Sequence, residues 1–467
     1  MNALSSEEKA NAKKKDAIPF KSWWMVAVLF SLYVFSWVDR LILSMLIGPI
    51  KEDLAMTDFQ MSLVLGPAFA IFYSIFGLPL GWAADRYPRR WVIYFGVTVW
   101  GIATMSCGFA KNFITLLLGR VGVGAGEASL MPSAYSLMAD EFPRSKMMLA
   151  TSVFQMGGKV GSAVAFGLGG VAIAFADQIH HIQWPLVGQL AAWQIVMIMV
   201  GAPGVILALL VFTFSEPPRR DAYVPESTND KGEVEGPRKV FFRENWKLMS
   251  LMVVGFSSVA VCGYTLTSWV PEYFSRHFNW EPVVYGPALS MMNLFAALTL
   301  VANGKIVDTL YARGMKDVHL RFYIWLMLAI YPAALSMFLV ENPYVFLGLY
   351  GLIQIITVPF IIYISAVVAM LAPNIIRGQL IAMFLFASTN LGMGLGPTLV
   401  GGLTDFIFQD ETKIGASIGI VVVGFYTLAV VSMMLALRYL RPAIERAEAR
   451  SLAAEAKANA DPQAAAQ

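Results

Sequence analysis

Runs of apolar residues recur along the whole chain, each bounded by charged residues or by proline and glycine. A helix crosses the hydrocarbon core of a bilayer with about 20 such residues. On that basis the pattern predicts spans near 23–47, 59–83, 91–110, 113–138, 147–176 and 190–214, then near 247–274, 284–307, 321–340, 344–371, 378–405 and 415–439. The strict alternation of a barrel strand is absent. The expected class is therefore an all-α membrane protein with twelve transmembrane helices.

A polar stretch rich in Glu, Lys, Pro and Asp separates the sixth span from the seventh. It predicts a tail over 1–22, a six-helix bundle over 23–214, a linker over 215–246, a second six-helix bundle over 247–440 and a tail over 441–467 containing a surface helix. The two halves also repeat. Gly66-Pro67 opens a span that ends in Gly81-Trp82-Ala83-Ala84-Asp85-Arg86, and Gly286-Pro287 opens one that ends in Gly304-Lys305-Ile306-Val307-Asp308. Arg144 and Arg377 are each followed 17 residues later by a glycine, Gly161 and Gly394. Pseudo-symmetric bundles of this kind can rock about a central site and face either side of a membrane in turn.

Composition supports lipid as the solvent: 57% of the 467 residues are hydrophobic and 14% are charged, against about 25% charged in a soluble domain. The basic residues report orientation. Of 34 Lys and Arg, 27 fall on the face that carries both termini and four on the other, Lys51, Lys111, Arg276 and Lys413. Both termini are thus expected in the cytoplasm, and the short loops suggest a bacterial inner membrane. The first span is expected to insert without cleavage. With the basic residues explained by topology, the net charge of +3 points to no nucleic acid. Cys107 and Cys262 fall in predicted spans, so no disulfide framework is expected. His180 and His181 share a loop with no third ligand type, so neither is a metal site.

The other three cations and two acids lie inside apolar runs: Asp39 and Arg40 in span one, Arg120 and Glu127 in span four, Lys159 in span five. A charge at mid-bilayer costs about 2.5–3.5 kcal/mol even on a lenient scale, which makes each a functional candidate. Arg120 and Glu127 are two turns apart, so they project from nearly one helix face, separated by about 10 Å along the axis. Each needs another partner, and Asp39, Arg40 and Lys159 are available. Gly122, Gly124 and Gly126 permit close helix approach or leave room for a ligand. The repeat position of Lys159 is Gly392, so the fold itself needs no cation there. Lys159 then contacts an anionic headgroup, neutralises a carboxylate, or snorkels to the interface. A static ion-pair network joining spans one, four and five is the structural alternative.

The segment GWAADRYPRR, residues 81–90, resembles the loop between the second and third spans of the major facilitator superfamily, with Pro88 replacing a usual glycine. The resemblance implies the two-bundle fold of that superfamily. It also implies a gating role for Gly81, Asp85, Arg86 and Arg90, with Asp308 at the matching end of span eight. A topology signal alone explains the arginines but not Asp85 or Gly81. RVGVGAGEASLMPSAYSLMADEFPRSK, residues 120–146, and FSWVDRLILS, residues 35–44, resemble the spinster family, whose members carry lysophospholipids, sphingosine phosphates and related amphiphiles. Organic-anion symporters of the same superfamily have a similar aspartate-arginine pair and glycine-glutamate, so their chemistry stays open.

The second half offers only amides in mid-span, Asn293, Gln354 and Asn390. A cavity polar on one wall and apolar on the other suits an amphiphile. No Walker loop, paired-cysteine motif or Ser/His/Asp set is present, so neither an enzyme nor a cofactor is expected. Carboxylates beside cations titrate when their solvation changes, which makes Asp39 and Glu127 the expected proton carriers. Arg40, Arg120, Glu127 and Lys159 are the expected substrate contacts. The expected reading is a monomeric secondary transporter whose partners are an anionic or zwitterionic amphiphile, protons and membrane lipids. Its alternatives are a proton-coupled symporter of small organic anions such as sugar acids, and a non-transporting membrane sensor.

Overall fold

The structure is a computed structural model that describes residues 19–184, 188–219, 237–372 and 374–460. The expected tails over 1–18 and 461–467 and the linker over 220–236 lie outside the described residues. Among the described residues eleven helices are long and apolar enough to cross a membrane: Phe20–Met45, Asp58–Arg86, Phe113–Glu141, Leu149–Ile179, Ala192–Thr213, Phe241–Phe278, Pro282–Ala312, Val318–Leu339, Pro343–Val368, Met383–Phe408 and Glu411–Arg450. A further helix, Arg89–Cys107, stands third in order and packs between the fourth and sixth spans. Two leading arginines and several hydroxyl residues make it less apolar than the rest. Spans are numbered one to twelve in this order.

Local sequence explains where helices break. Span two is interrupted between Leu65 and Pro67, where proline removes a backbone donor and occupies the first position of the new helix. Span four consists of Phe113–Glu127 and Leu130–Glu141, and span ten of Pro343–Thr357 and Phe360–Leu371. Both begin on an asparagine whose side chain accepts from the first turn, Asn112 from the Thr115 amide and Asn342 from those of Tyr344 and Val345. The seventh helix starts at Pro237, so the end of the expected linker is helical. The last helix runs from Ile414 to Ala460. The surface helix expected after Arg441 is therefore a continuation of span twelve, since Ala, Glu, Arg and Lys are strong helix formers and Pro442 does not end it.

The halves meet along spans five and eight and along spans two and eleven. Glycines allow the closest approach. A Cβ on Gly170 would lie 2.3 Å from the Pro282 carbonyl, and one on Gly286 2.4 Å from that of Phe166. Both contacts sit toward the face opposite the termini, called the far face below.

Candidate functional site

Asp39 and Arg40 lie three and four residues after Ser36, so the first helix turns all three to one side. That side meets span four. Arg40 Nη2 and Ser36 Oγ both donate to Glu127 Oε1. Asp39 Oδ1 accepts from Thr104 Oγ1 at 2.7 Å, while Oδ2 faces Arg120 Nη1 at 3.5 Å. The four charges therefore pair across helices, Arg40 with Glu127 and Asp39 with Arg120, and cancel. Arg40 also lies over the Phe69 ring at 4.5 Å and beside Trp37 at 5.4 Å and Tyr73 at 5.5 Å, contacts that favour a cation out of water. Gly124 and Gly126 serve close approach: a Cβ there would lie 2.7 Å from the Phe69 carbonyl and 2.6 Å from that of Gly96, respectively. Pairing is incomplete. Asp39 Oδ2, Glu127 Oε2 and Arg120 Nε and Nη1 are buried without a hydrogen bond to any described group.

Lys159 stands apart from this cluster. Span five lays Gly158 against Trp37, 2.9 Å from a Cβ to the indole nitrogen, and turns Lys159 into a cavity between the halves. Gln155, Ser162, Tyr33 and Trp37 share its wall on the first half. Thr267, Asn293, Gln354 and Thr357 line it from the second half, with Tyr264 and Phe360. Among the described residues no carboxylate forms an ion pair with Lys159. Trp37 touches both regions, lining the cavity and flanking Arg40. The second wall is not apolar, contrary to the expectation from sequence. Tyr350, Gln354 and Thr357 follow at four and three residues on one face of span ten, and Gln354 and Thr357 reach the cavity from it. Asn390 lies elsewhere, joined to Ser74.

Among the described residues, none of 81–90 forms an ion pair with the second half. Asp85 and Asp308 are exposed, Gly81 lies near Pro132, and Arg86 stacks on Trp82 at 4.5 Å. Arg90 Nη1 donates to the Phe214 carbonyl at 2.8 Å. Arg89, which topology alone would explain, is fully buried. It donates to Asp140, to Ser136 at 3.0 Å, to Glu216 at 3.1 Å and to the Pro217 carbonyl at 2.9 Å, tying spans three and four to the exit of span six.

A second charged cluster, absent from the sequence reading, closes the far face. Asp58 accepts two bonds of 2.8 Å from Arg276 and one of 2.5 Å from Lys51. Arg276 Nε also donates to Glu272 at 2.6 Å, whose other oxygen accepts from the Gly48 amide at 3.1 Å, and Lys51 lies 3.0 Å from Glu411. Among the described residues every ion pair between the halves lies here. Asp58 is 0% exposed. Two-toothed arginine-carboxylate pairing is the strong form, and breaking a buried pair costs about 3–5 kcal/mol because a charge is left behind. Asp58→Asn should therefore loosen the far face. Ser62, buried one turn beyond Asp58 on the same helix, reports this: in a Ser62→Cys background, labelling by a membrane-impermeant maleimide from that face should speed up by about tenfold or more. Equal rates with and without Asp58→Asn would show that the cluster does not hold the face shut.

A family model described as Major Facilitator Superfamily matches residues 29–397. The chain is 27% identical to an MFS-type efflux pump of Mycolicibacterium smegmatis, over 92% of this chain and 96% of that one. It is 24% identical to a D-galactonate transporter of Escherichia coli, over 62% of this chain and 67% of that one. In structure it is similar to a bacterial homologue of the human lysosomal transporter spinster in an inward-facing, unoccupied conformation. The TM-score is 0.70 at 23% identity, covering 92% of this chain and 98% of the other.

Proposed function

The chain belongs to the major facilitator superfamily, and on that premise we propose that it carries an anionic amphiphile by alternating access, with protons as the coupling ion. The observation that carries this reading is Lys159. Arg40 and Arg120 are neutralised by Glu127 and Asp39, whereas Lys159 faces the cavity between the halves with no carboxylate partner among the described residues. A half-buried cation inside a membrane-spanning bundle with no carboxylate partner is costly, and an anionic group brought by the substrate supplies the missing charge. The far face is closed by Asp58, Arg276 and Glu272, so substrate enters from the face of the termini, which the distribution of Lys and Arg assigns to the cytoplasm. Glu127 and Asp39 each keep one oxygen without a hydrogen bond. Protonation of Glu127 weakens its hold on Arg40, which links proton binding to movement of span one against span four. Tyr33, Trp37, Tyr264 and Phe360 give the cavity apolar surface for the rest of an amphiphile. A cytoplasmic gating role for Gly81, Asp85, Arg86, Arg90 and Asp308 belongs to the state in which that side closes.

One observation favours a second reading, a carrier of small organic anions such as sugar acids. The second half presents Asn293, Gln354 and Thr357 to the cavity, groups that suit hydroxyls better than an acyl chain. Chain length separates the two. Each buried methylene is worth about 0.8 kcal/mol, so two more carbons on a lysophosphatidate should tighten binding roughly tenfold until the apolar surface is filled. Affinity that does not change with chain length would overturn the amphiphile reading.

A further inference from the structure

Spans four and ten are one structure built twice. Each opens on an asparagine cap, Asn112 or Asn342, runs for 15 residues, breaks, and resumes for 12, with equivalent positions 230 residues apart. In that register Tyr350 takes the place of Arg120, Gln354 that of Gly124, and Thr357 that of Glu127. Where the first half holds a guanidinium and a carboxylate, the second holds a neutral chain of hydroxyl, amide and hydroxyl. Gln354 Nε2 donates to Tyr350 Oη at 2.6 Å, and Thr357 Oγ1 donates to Gln354 Oε1 at 2.5 Å.

These bonds fix the amide without exhausting it. A glutamine has two N–H donors and an oxygen with two lone pairs, so one donor and one lone pair of Gln354 remain. Asn293 Nδ2 donates to the Leu289 carbonyl at 2.9 Å and its side chain also hydrogen-bonds Tyr350, which leaves the side-chain oxygen as an acceptor. Asn293, Gln354 and Thr357 line the same cavity as Lys159. A hydroxyl both donates and accepts, and so fits a wall offering both. A methylene there would leave the amides unpaired out of water, which is the strongest form of discrimination a site can apply.

We propose that Asn293, Gln354 and Thr357 form a subsite that reads a hydroxyl on the ligand beside its anionic group. The transported class is then hydroxylated anions, such as the free hydroxyl of a lysolipid glycerol or the polyol of a sugar acid. This rests on the reading of Lys159 as the anion's partner. The two spans thereby divide the labour, span four handling charge and protons and span ten selecting the neutral part of the substrate.

The test is calorimetric binding to the full purified chain with two matched pairs: 1-oleoyl lysophosphatidate against its 2-deoxy analogue, and gluconate against hexanoate. In one pair the hydroxylated member should bind about tenfold or more tightly than its deoxy partner, and which pair responds identifies the source of the hydroxyl. Thr357→Val and Gln354→Leu should shrink that gap to about threefold or less. Because Gln354→Leu also strips Tyr350 and Thr357 of a partner, Thr357→Val serves as the gentler variant, and the preference of the parent needs no variant. Equal affinity within both pairs, with binding still lost in Lys159→Met, would overturn the hydroxyl subsite and leave the anion reading standing. Binding that survives Lys159→Met would overturn the anion reading itself, and binding of none of the four ligands would overturn both.

Discussion

Lys159→Met should weaken ligand binding about thirtyfold or more while making the empty protein more stable. Methionine has a similar length and no charge, so the cavity keeps its shape and loses a cation that has no carboxylate partner among the described residues. Removing a charged partner from a buried pair weakens binding by about 2 kcal/mol or more, roughly thirtyfold in Kd. Without ligand the sign reverses. An unpaired ammonium inside the membrane is destabilising, so its removal should stabilise the empty protein by on the order of 1–3 kcal/mol. Thermal unfolding in detergent with and without lysophosphatidate or gluconate reads both effects. A melting temperature that falls in the empty variant would mean that Lys159 holds the fold together, and binding close to that of the parent would remove it from the site.

Glu127→Gln should separate transport from its driving force. The amide oxygen can still accept from Ser36 and Arg40, as Glu127 Oε1 does, so spans one and four stay hydrogen-bonded although the charge that holds Arg40 is gone, as it is when Glu127 is protonated. No proton can be taken up or released. Exchange of substrate across a vesicle membrane should continue within about threefold of the parent, because uniform binding is little altered. Accumulation driven by an imposed pH gradient should vanish. Full gradient-driven accumulation by the variant would assign proton coupling to another group, with Asp39 first in line.

Much of this site could be read from the chain because charge in an apolar run is conspicuous. Asp39, Arg40, Arg120 and Glu127 stood out for that reason, and helical spacing correctly implied that Arg120 and Glu127 need partners from other helices. Which partner each takes depends on how spans one, three and four cross, and that lies outside any local pattern. Thr104, which holds Asp39, carries no signal at all. The far-face cluster was hidden differently. Lys51 and Arg276 were visible as two of four far-face cations, but a charge at a span end is ordinary, and nothing in their neighbourhood reveals that both converge on Asp58. The same applies to Arg89, whose burial against Asp140 and Glu216 needs the end of span six to fold back. Span ten was legible in principle: the asparagine cap repeats at 230 residues, and Tyr350 and Thr357 stand at the positions of Arg120 and Glu127. Neutral side chains in a hydrophobic run draw less notice than charges, so the amides read as isolated residues instead of a cavity wall.

Solute counterflow in vesicles of purified protein tests the central claim most directly, because it needs neither an ion gradient nor a nucleotide. Vesicles are loaded with unlabelled lysophosphatidate or gluconate and diluted into a trace of the labelled compound. For one of the two, the parent should show a transient overshoot of label that protein-free vesicles lack, Glu127→Gln should keep it, and Lys159→Met should lose it. An overshoot in Lys159→Met equal to that of the parent, or none in the parent with either anion, would contradict a carrier whose substrate supplies the counter-charge to Lys159.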